Sequence, residues 1–337
     1  MSLVATELGE APDAVARQQQ ALAAPLRQLV DRLSGRPPTV VVTCARGSSA
    51  HAAAFAKHLI ERRLGIPVAP AAPVIATAYR RELRLNDALF LAVSQSGRSD
   101  DLIETAASAR RGGALTVALV NEADSPLAEA SDILLPIGAG PERAVAATKS
   151  FIATLAAVLR LVALWSADRL LAAAVERLPA RLAAASCLDW NDAAASLAAA
   201  QSLVVIGRGP TLAIAREAAL KLKEIANLHA EAFSGAEFLH GPVALVGADY
   251  PLLMFVAPDE TGPGMRRLAG MLRGKGARLV TVDPAGDGDL PALPPDHPDA
   301  DALCLIQSFY TMALRIAAAR GIDADHPRHL RKVTRTR

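Results

Sequence analysis

Several features that define other classes of protein are missing from this 337-residue chain. Its three cysteines, Cys44, Cys187 and Cys304, are odd in number and widely spaced, which excludes a disulfide framework and a Cys-x-x-Cys metal site. The 36 basic and 34 acidic residues leave a net charge of +2, which gives no general attraction to nucleic acid or anionic membranes. The longest apolar stretch, Phe151 to Trp165, is too short to cross a bilayer and contains Arg160. The first residues are acidic, unlike a secretory signal, so we expect a cytoplasmic protein.

What the chain does have is apolar material for about two domains of roughly 150 residues each. Short apolar runs alternate with helical patterns through the first half, after an amphipathic helix over residues 14–33. This alternation predicts a parallel sheet covered by helices on both faces. The predicted strands are Thr39–Cys44, Pro67–Ala69, Ala88–Val93, Leu115–Val120 and Ile133–Pro136, and a long helix follows from about Thr148 to Trp165.

The second half repeats this plan at an offset of roughly 162 residues. The run Ser202–Ile206 is followed by a glycine-containing turn and a helix to about Leu228, and further strands are predicted at Leu252–Val256 and Ala277–Val282. We therefore predict an α/β protein made of two tandem doubly wound domains with parallel sheets. The expected divisions are an N-terminal helix at 1–34, a first domain at 35–168, a helical linker at 169–200, a second domain at 201–322 and a tail at 323–337.

Two hydroxyl-rich loops of the first half have the context of an anion site. Ala45–Ser49 and Ser94–Ser99 each follow a predicted strand and precede a helix, where free N–H groups and the helix dipole favour a phosphate. Serines that only cap helices are the simpler explanation for either loop alone. Two such loops at the carboxyl edge of one sheet favour the phosphate site.

Other ligand motifs are incomplete. Gly207–Leu212 has the first two glycines of a dinucleotide-binding fingerprint but Leu212 in place of the third, and no P-loop sequence occurs. His326 and His329 lack a third ligand at metal-binding spacing. The sequence therefore predicts neither a nicotinamide cofactor nor a metal.

Candidates for acid–base chemistry are few. Lys221 and Glu224 are three residues apart on a predicted helix and share one face, while Lys223 points elsewhere. A carboxylate beside a lysine stays ionised near neutrality and can shuttle a proton between adjacent carbons of a sugar, although an ordinary surface ion pair has the same spacing. His240, before a Gly-Pro pair, and Lys332, in the basic tail, are weak signals by themselves.

Taken together, six motifs resemble the double SIS (sugar isomerase) domain family, as found in the isomerase part of glucosamine-6-phosphate synthase and in stand-alone glucosamine-6-phosphate deaminases. The resemblance covers residues from about 30 to 337 and implies two flavodoxin-like domains. The motifs, in chain order, are Cys44-Ala-Arg-Gly-Ser-Ser49, Ser94-Gln-Ser-Gly-Arg-Ser99, Glu142-Arg-Ala-Val-Ala-Ala-Thr-Lys149, Lys221-Leu-Lys-Glu-Ile-Ala-Asn-Leu-His-Ala-Glu231, Glu237-Phe-Leu-His-Gly-Pro242 and Pro327-Arg-His-Leu-Arg-Lys332.

The resemblance implies which residues bind the substrate. Glu142 and Val145 correspond to the loop that lines the sugar, and Ala147 departs from the serine of the synthase, which removes a hydrogen bond there. The residues that correspond to the phosphate ligands are Ser49, Ser94, Gln95, Ser96 and Ser99.

The resemblance also implies the catalytic roles. Glu224 corresponds to the base that moves a proton between C1 and C2, and Lys221 to its neighbour in the pocket. His240 corresponds to the ring-opening histidine, which the other subunit supplies in the family, so a homodimer is expected. Lys332 corresponds to a tail lysine that contacts the open-chain sugar as an ion or forms an imine with it. No metal or redox cofactor is implied.

The function expected from these residues is aminosugar-phosphate isomerisation with deamination, from glucosamine 6-phosphate to fructose 6-phosphate and ammonia. No cysteine precedes Cys44, so the glutaminase activity of the synthase is not expected. The alternatives are isomerisation or deamination of another sugar phosphate, such as galactosamine 6-phosphate, and a regulator that only binds a sugar phosphate. The segment before residue 30 is short and weakly basic, so the helix-turn-helix that such regulators carry is not expected there.

Overall fold

The chain folds into two compact units in the computed structural model, which describes residues 2–286 and 288–332. The five-stranded unit comprises residues 13–142, 149–176 and 331–332. The four-stranded unit comprises residues 2–12, 143–148, 177–286 and 288–330. The last five residues of the predicted tail, 333–337, lie outside the described residues, and the domain boundaries inferred from the sequence stay a prediction.

The chain begins with two helices, α1 (Leu3–Gly9) and α2 (Ala11–Gly35). Strands and helices then alternate through the five-stranded unit as β1 (Val40–Ala45), α3 (Gly47–Leu64), β2 (Val68–Pro70), α4 (Val74–Thr77), β3 (Ala88–Ser94), α5 (Asp100–Arg111), β4 (Leu115–Val120), α6 (Pro126–Glu129), β5 (Ile133–Pro136) and α7 (Lys149–Trp165). The strands are parallel in the order β2-β1-β3-β4-β5, which is the flavodoxin-like doubly wound arrangement. The predicted α/β fold class is confirmed.

Burial explains why these segments could be found from sequence. All seven residues of β3 are buried, as expected for a strand covered on both faces. Helix α7 is buried along most of its length, from Lys149 to Ala163, and packs against α3. An apolar helix of this kind contributes to the core around its whole circumference.

The rest of the chain builds the four-stranded unit and the helices before it. Its elements are α8 (Arg169–Ala185), α9 (Asn191–Ala198), β6 (Ser202–Gly207), α10 (Thr211–Ala226), β7 (His229–Ser234), two 3₁₀ turns (Glu237–His240 and Pro242–Leu245), β8 (Pro251–Phe255), α11 (Gly262–Gly274), β9 (Arg278–Val282) and α12 (Pro298–Ala319). The strands are again parallel, in the order β7-β6-β8-β9. This order repeats the first four positions of the larger sheet.

In the smaller sheet, a single residue occupies the position of the fifth strand. Leu290 forms a parallel bridge with Val282 beside β9, where β5 lies beside β4 in the larger sheet. The same pair of hydrogen bonds between a threonine and an aspartate occurs in both units. Thr116 donates its N–H and hydroxyl to Asp132 at 3.0 and 2.8 Å, and Thr281 donates both to Asp289 at 2.7 Å. The two units are therefore copies of one α/β plan, the second with a shorter sheet.

Helix α12 is buried along most of its length in the four-stranded unit and packs against α9 and α10. Among the described residues it is also the one helix long and apolar enough to cross a membrane by length and composition, but 72% of its most apolar stretch is buried inside the protein. A mostly buried helix of this kind is typical of the core of a soluble protein.

Candidate active site

The two hydroxyl-rich loops follow neighbouring strands of the five-stranded sheet. β1 and β3 are parallel and paired as far as Ala45 and Val93, so the chain leaves both strands at the same edge before it enters α3 and α5. Ligands of parallel α/β sheets bind at this carboxyl edge. The fold thus places both loops where an anion can meet two helix N-termini.

The Ser94–Ser99 loop is shaped by its own serines. Ser94 Oγ accepts a hydrogen bond from Gly97 N at 3.0 Å. Gly97 has φ of 62°, and a Cβ atom there would lie 2.2 Å from Ser125 Oγ, so the turn requires glycine. Ser99 is the N-cap residue of α5, but its side chain makes no capping hydrogen bond. The capping explanation therefore does not account for the Ser99 hydroxyl.

The other residues of this loop are fixed through main-chain contacts. Ser96 is buried, and its Oγ accepts from Arg98 N at 3.3 Å. Gln95 is half-buried, and its carbonyl accepts from Asn121 N at 3.2 Å. The Gln95 side chain carries both donors and acceptors at the edge of the sheet.

Ser49 lies in a helix and not in the turn predicted over residues 45–49. Helix α3 begins at Gly47, which adopts φ of 53°, and Ala50 N donates to Arg46 O at 3.2 Å. Half-buried Ser49 and its neighbour Ser48 thus belong to the first turn of α3, where N–H groups have no acceptor within the helix.

The matching loops of the four-stranded unit are built differently. Thr211 Oγ1, where the first unit has serines, donates to the carbonyls of Arg208 and Phe255 at 2.9 and 3.0 Å. After β8, Asp259 Oδ1 accepts from Thr261 N and Thr261 Oγ1 at 2.8 and 2.6 Å. A carboxylate already binds the donors here, so an anion is favoured only in the first copy.

Three ionisable residues of α10 form a cluster on one face of the helix. Lys221 Nζ forms an ion pair with Glu224 and lies 3.5 Å from Glu217 Oε1. The lysine side chain is 1% exposed and the Glu217 side chain fully buried, while Glu224 remains 21% exposed. The pair is therefore not the ordinary surface ion pair that its spacing allows, and exposed Lys223 takes no part in it.

Glu217 and Tyr310 are members of this cluster that sequence reasoning missed. Tyr310 Oη, on α12, donates to Glu217 Oε1 at 3.1 Å, and both side chains are buried. Glu217 precedes Lys221 by four residues and Glu224 by seven, a helical spacing that could have identified it. Nothing in the local sequence of Tyr310 indicates its partner. The two residues secure the buried end of the cluster.

His240 lies at the end of a 3₁₀ turn and is exposed. The turn is held by buried Phe238, whose ring is 5.9 Å from that of Phe233, and it ends at Gly241 with φ of 149°. The imidazole is thus presented on the surface of the four-stranded unit.

Lys332 contacts Glu142 within the five-stranded unit. Lys332 Nζ donates to Glu142 Oε2 at 2.9 Å, and the glutamate side chain is fully buried. Ser150, in the first turn of α7, donates its N–H and hydroxyl to the same carboxylate at 3.1 and 2.6 Å. Glu142 thus contacts the tail lysine in this structure, and its expected place in the lining of a sugar stays a prediction.

Val145 and Ala147 belong to the segment 143–148 of the four-stranded unit, and both are half-buried. This segment is held by Glu7 of α1, whose carboxylate accepts from Arg143 N at 2.5 Å and Ala144 N at 3.2 Å. Glu7 is buried, and sequence reasoning did not single it out.

The cysteines differ in their reactivity. Burial raises the pKa of the Cys44 thiol to about 12, with the Asp101 carboxylate acting in the same direction, and burial raises the pKa of Cys304 to about 12. Cys187 is exposed. At pH 8 a thiol with such a pKa is thiolate in only about one molecule in ten thousand, and thiolate is the nucleophile. Cys44 and Cys304 are therefore unsuited to nucleophilic catalysis.

We expect one thiol per chain to react with Ellman's reagent at pH 8 in the folded protein, and three after unfolding in guanidinium. A Cys187→Ser variant should lose the fast-reacting thiol and keep its fold. Rapid reaction of two or three thiols in the folded protein would contradict the assignment of Cys44 and Cys304 as buried, protonated groups.

Within residues 2–286 and 288–332, no group of three or more His, Cys, Asp or Glu side chains is arranged to hold a metal ion.

The protein consists of two parallel α/β units with the same strand order. One unit has hydroxyl-rich loops at the carboxyl edge of its sheet, and the other has a carboxylate–lysine cluster. These features define a tandem α/β protein of the sugar-isomerase type. A family model described as SIS domain matches residues 38–164 and 196–292. The chain belongs to this family, and the double-domain resemblance noted from its motifs is confirmed.

Similar proteins agree with this assignment. The chain is 33% identical to a glutamine–fructose-6-phosphate aminotransferase (isomerizing) of Zymomonas mobilis, over 97% of this chain and 57% of that protein. It therefore spans little more than half the length of that relative. A crystal structure from Silicibacter pomeroyi, provisionally assigned as a phosphosugar isomerase, is 42% identical with a TM-score of 0.92, over 96% of this chain and 100% of that one.

Two further structures show the same architecture. The C-terminal domain of a glucosamine-fructose-6-phosphate aminotransferase from Francisella tularensis is 25% identical with a TM-score of 0.85, over 97% of this chain and 98% of that one. A glucosamine-6-phosphate deaminase from Thermotoga maritima, 23% identical over 97% of this chain and all of that one, shares the fold with a TM-score of 0.76.

Proposed function

We propose that this protein converts glucosamine 6-phosphate and water to fructose 6-phosphate and ammonia. The observation that carries the proposal is the cluster on α10, in which buried Lys221 holds a partly exposed carboxylate, Glu224. A positioned carboxylate is the group that proton transfer between neighbouring carbons requires. Homology to the isomerase part of the aminotransferases supports a hexose 6-phosphate as the substrate class.

The reaction balances without a redox or metal cofactor. After ring opening, Glu224 takes the proton from C2 of the open-chain aldehyde. The electron pair of that C–H bond forms the C1–C2 double bond while the π pair of the C1=O bond moves to the aldehyde oxygen, which takes up a proton from solvent, and the product is an enaminol whose amine lone pair later forms the C2=N bond. The proton is returned to C1, which leaves a ketimine at C2. Water adds to this C=N bond, and its cleavage gives the C2 ketone and releases ammonia.

The remaining predicted residues act on the two ends of the substrate in this proposal. Ser49, Ser94, Gln95, Ser96 and Ser99 hold the phosphate ester with the N–H groups of α3 and α5. His240, supplied by a second copy of the chain in a homodimer, opens the sugar ring. Lys332 contacts the open-chain sugar. We also propose that the enzyme acts in the cytoplasm.

The thiol chemistry supports deamination by this chain without glutamine hydrolysis. Two of its three cysteines are buried thiols with pKa values of about 12, and neither can act as the nucleophile for an amide. The third cysteine, Cys187, is exposed, and the assay with glutamine tests it.

The direct test is to incubate the purified protein with glucosamine 6-phosphate and to measure ammonia and fructose 6-phosphate together. We expect the two products in equal amounts. Galactosamine 6-phosphate is assayed in parallel, and a third reaction with fructose 6-phosphate and glutamine should yield no glutamate.

Each other outcome rejects the proposal in a defined way. Ammonia from galactosamine 6-phosphate alone would assign the other epimer. Interconversion of unaminated sugar phosphates without ammonia would identify a plain isomerase. Binding of glucosamine 6-phosphate with no turnover would identify a sugar-phosphate sensor.

A further inference from the structure

One ion pair joins the first hydroxyl-rich loop to the helix that follows the second. Arg46 lies between β1 and α3 as the N-cap residue of that helix, and Asp101 is the second residue of α5. Arg46 Nε and Nη2 lie 2.9 and 2.7 Å from Asp101 Oδ2. The aspartate side chain is 3% exposed, whereas that of the arginine is 53% exposed.

The buried carboxylate of Asp101 requires a positive charge close to it. A charge taken out of water needs a paired charge, and the N-terminus of α5 supplies only a partial one. Asp101 Oδ1 has no hydrogen-bond partner among the described residues. A phosphate bound at the same helix end would add two negative charges beside this carboxylate, so the loops need a cation that serves both anions.

Arg46 has the geometry for this double use. A guanidinium carries five N–H donors in one plane, and the contact with Asp101 occupies the edge formed by Nε and Nη2. The half-exposed side chain leaves further donors, and the guanidinium fork is suited to phosphate oxygens. Arg98, the other arginine of the two loops, is directed to Asp124 O at 3.1 Å and lies 3.9 Å from Glu122.

We propose that Arg46 is a phosphate-binding residue, which contacts the phosphate ester of the substrate, and that Asp101 is the positioning residue that holds it. This inference rests on the proposed function in one respect, namely that the two loops bind the phosphate of the substrate. The repeat supplies a matched position, because Arg208 follows β6 as Arg46 follows β1, beside the loop in which Asp259 already binds the local donors.

The test measures binding by calorimetry with the full chain and glucitol 6-phosphate, an open-chain probe without a carbonyl group, at several salt concentrations. Inorganic phosphate is the second probe. Arg46→Gln should raise the Kd for glucitol 6-phosphate by about 10- to 100-fold, as expected for the loss of a charge-assisted hydrogen bond, and should flatten its salt dependence. The Kd of the Arg46→Lys variant should lie between those of the parent and Arg46→Gln. The Kd of the control variant Arg208→Gln should equal that of the parent.

Asp101 is tested through its dependence on Arg46. Asp101→Asn should raise the Kd less than Arg46→Gln, because the cation remains but loses its anchor. In the Arg46→Gln background, Asp101→Asn should cause no further change in the Kd. The double variant Arg46→Gln/Asp101→Asn replaces the pair by neutral residues of similar size, so it tests the arginine even if the single variant fails to fold.

The alternatives give different results. Parental affinity in Arg46→Gln would exclude Arg46 as a ligand, and parental affinity in the double variant would show that the arginine only neutralises Asp101. If the parent chain binds neither probe, the phosphate loops and the role of Arg46 both fail. If the parent binds glucitol 6-phosphate but releases no ammonia from glucosamine 6-phosphate, the proposed reaction fails and the assignment of Arg46 is decided by the variants alone.

Discussion

Replacing Glu224 by glutamine is expected to lower the turnover of glucosamine 6-phosphate by about 10²- to 10⁴-fold, which is the range for loss of a general base. Glutamine keeps the shape of the side chain but cannot take a proton from carbon. Phosphosugar binding depends on other residues, so the Kd for glucitol 6-phosphate should stay within a few-fold of the parent. Calorimetry and the ammonia assay measure the two effects separately.

A second measurement isolates the proton transfer itself. In D₂O the parent protein should introduce deuterium at C1 of fructose 6-phosphate in the presence of ammonium, and proton NMR follows the exchange. Glu224→Gln should abolish the exchange, whereas Glu231→Gln, an exposed glutamate of β7 in the same unit, should leave it unchanged. If Glu224→Gln keeps turnover and exchange near parental rates, Glu224 is not the base.

The fold could be predicted from the sequence because its sheets are parallel and their central strands are buried on both faces. The central strand β4 begins and ends at the predicted residues, since apolar runs bounded by turn residues mark such strands clearly. The edge strand β5 also has its predicted bounds. β7 was missed. It is an edge strand in which exposed and buried positions alternate at His229, Ala230 and Glu231, and it directly follows α10.

The candidate site was only partly visible in the sequence. Hydroxyl-rich loops after strands and the spacing of Lys221 and Glu224 are local patterns. The structure places Lys221 and Glu224 on the expected helix, whereas Ser49 lies in the first turn of α3 and not in the predicted turn. Contacts between distant segments have no such pattern. The bond from Tyr310 to Glu217 spans 93 residues and that from Lys332 to Glu142 spans 190, so neither could be inferred before the chain was folded.

The contact between Lys332 and Glu142 leads to the second large effect. Glu142→Gln is expected to lower turnover by about 10- to 100-fold, the range of coupling energies for side chains in direct contact. The amide cannot form an ion pair with the lysine, and its NH₂ group would face a second donor. Ser150 can still donate its N–H to the remaining carbonyl oxygen, so the start of α7 should keep its structure.

The double-mutant cycle with Lys332→Gln decides what Glu142 does. If Glu142 acts by holding Lys332, the double variant should be no slower than the slower single variant, because the second change removes nothing further. If Glu142 instead lines the sugar independently, the two losses should multiply. Steady-state ammonia release measures all four proteins, and their thermal unfolding shows whether the loss of the buried carboxylate has altered the fold. Multiplying losses would contradict the anchoring role and return Glu142 to the lining of the sugar site, and full turnover in Glu142→Gln would exclude both roles.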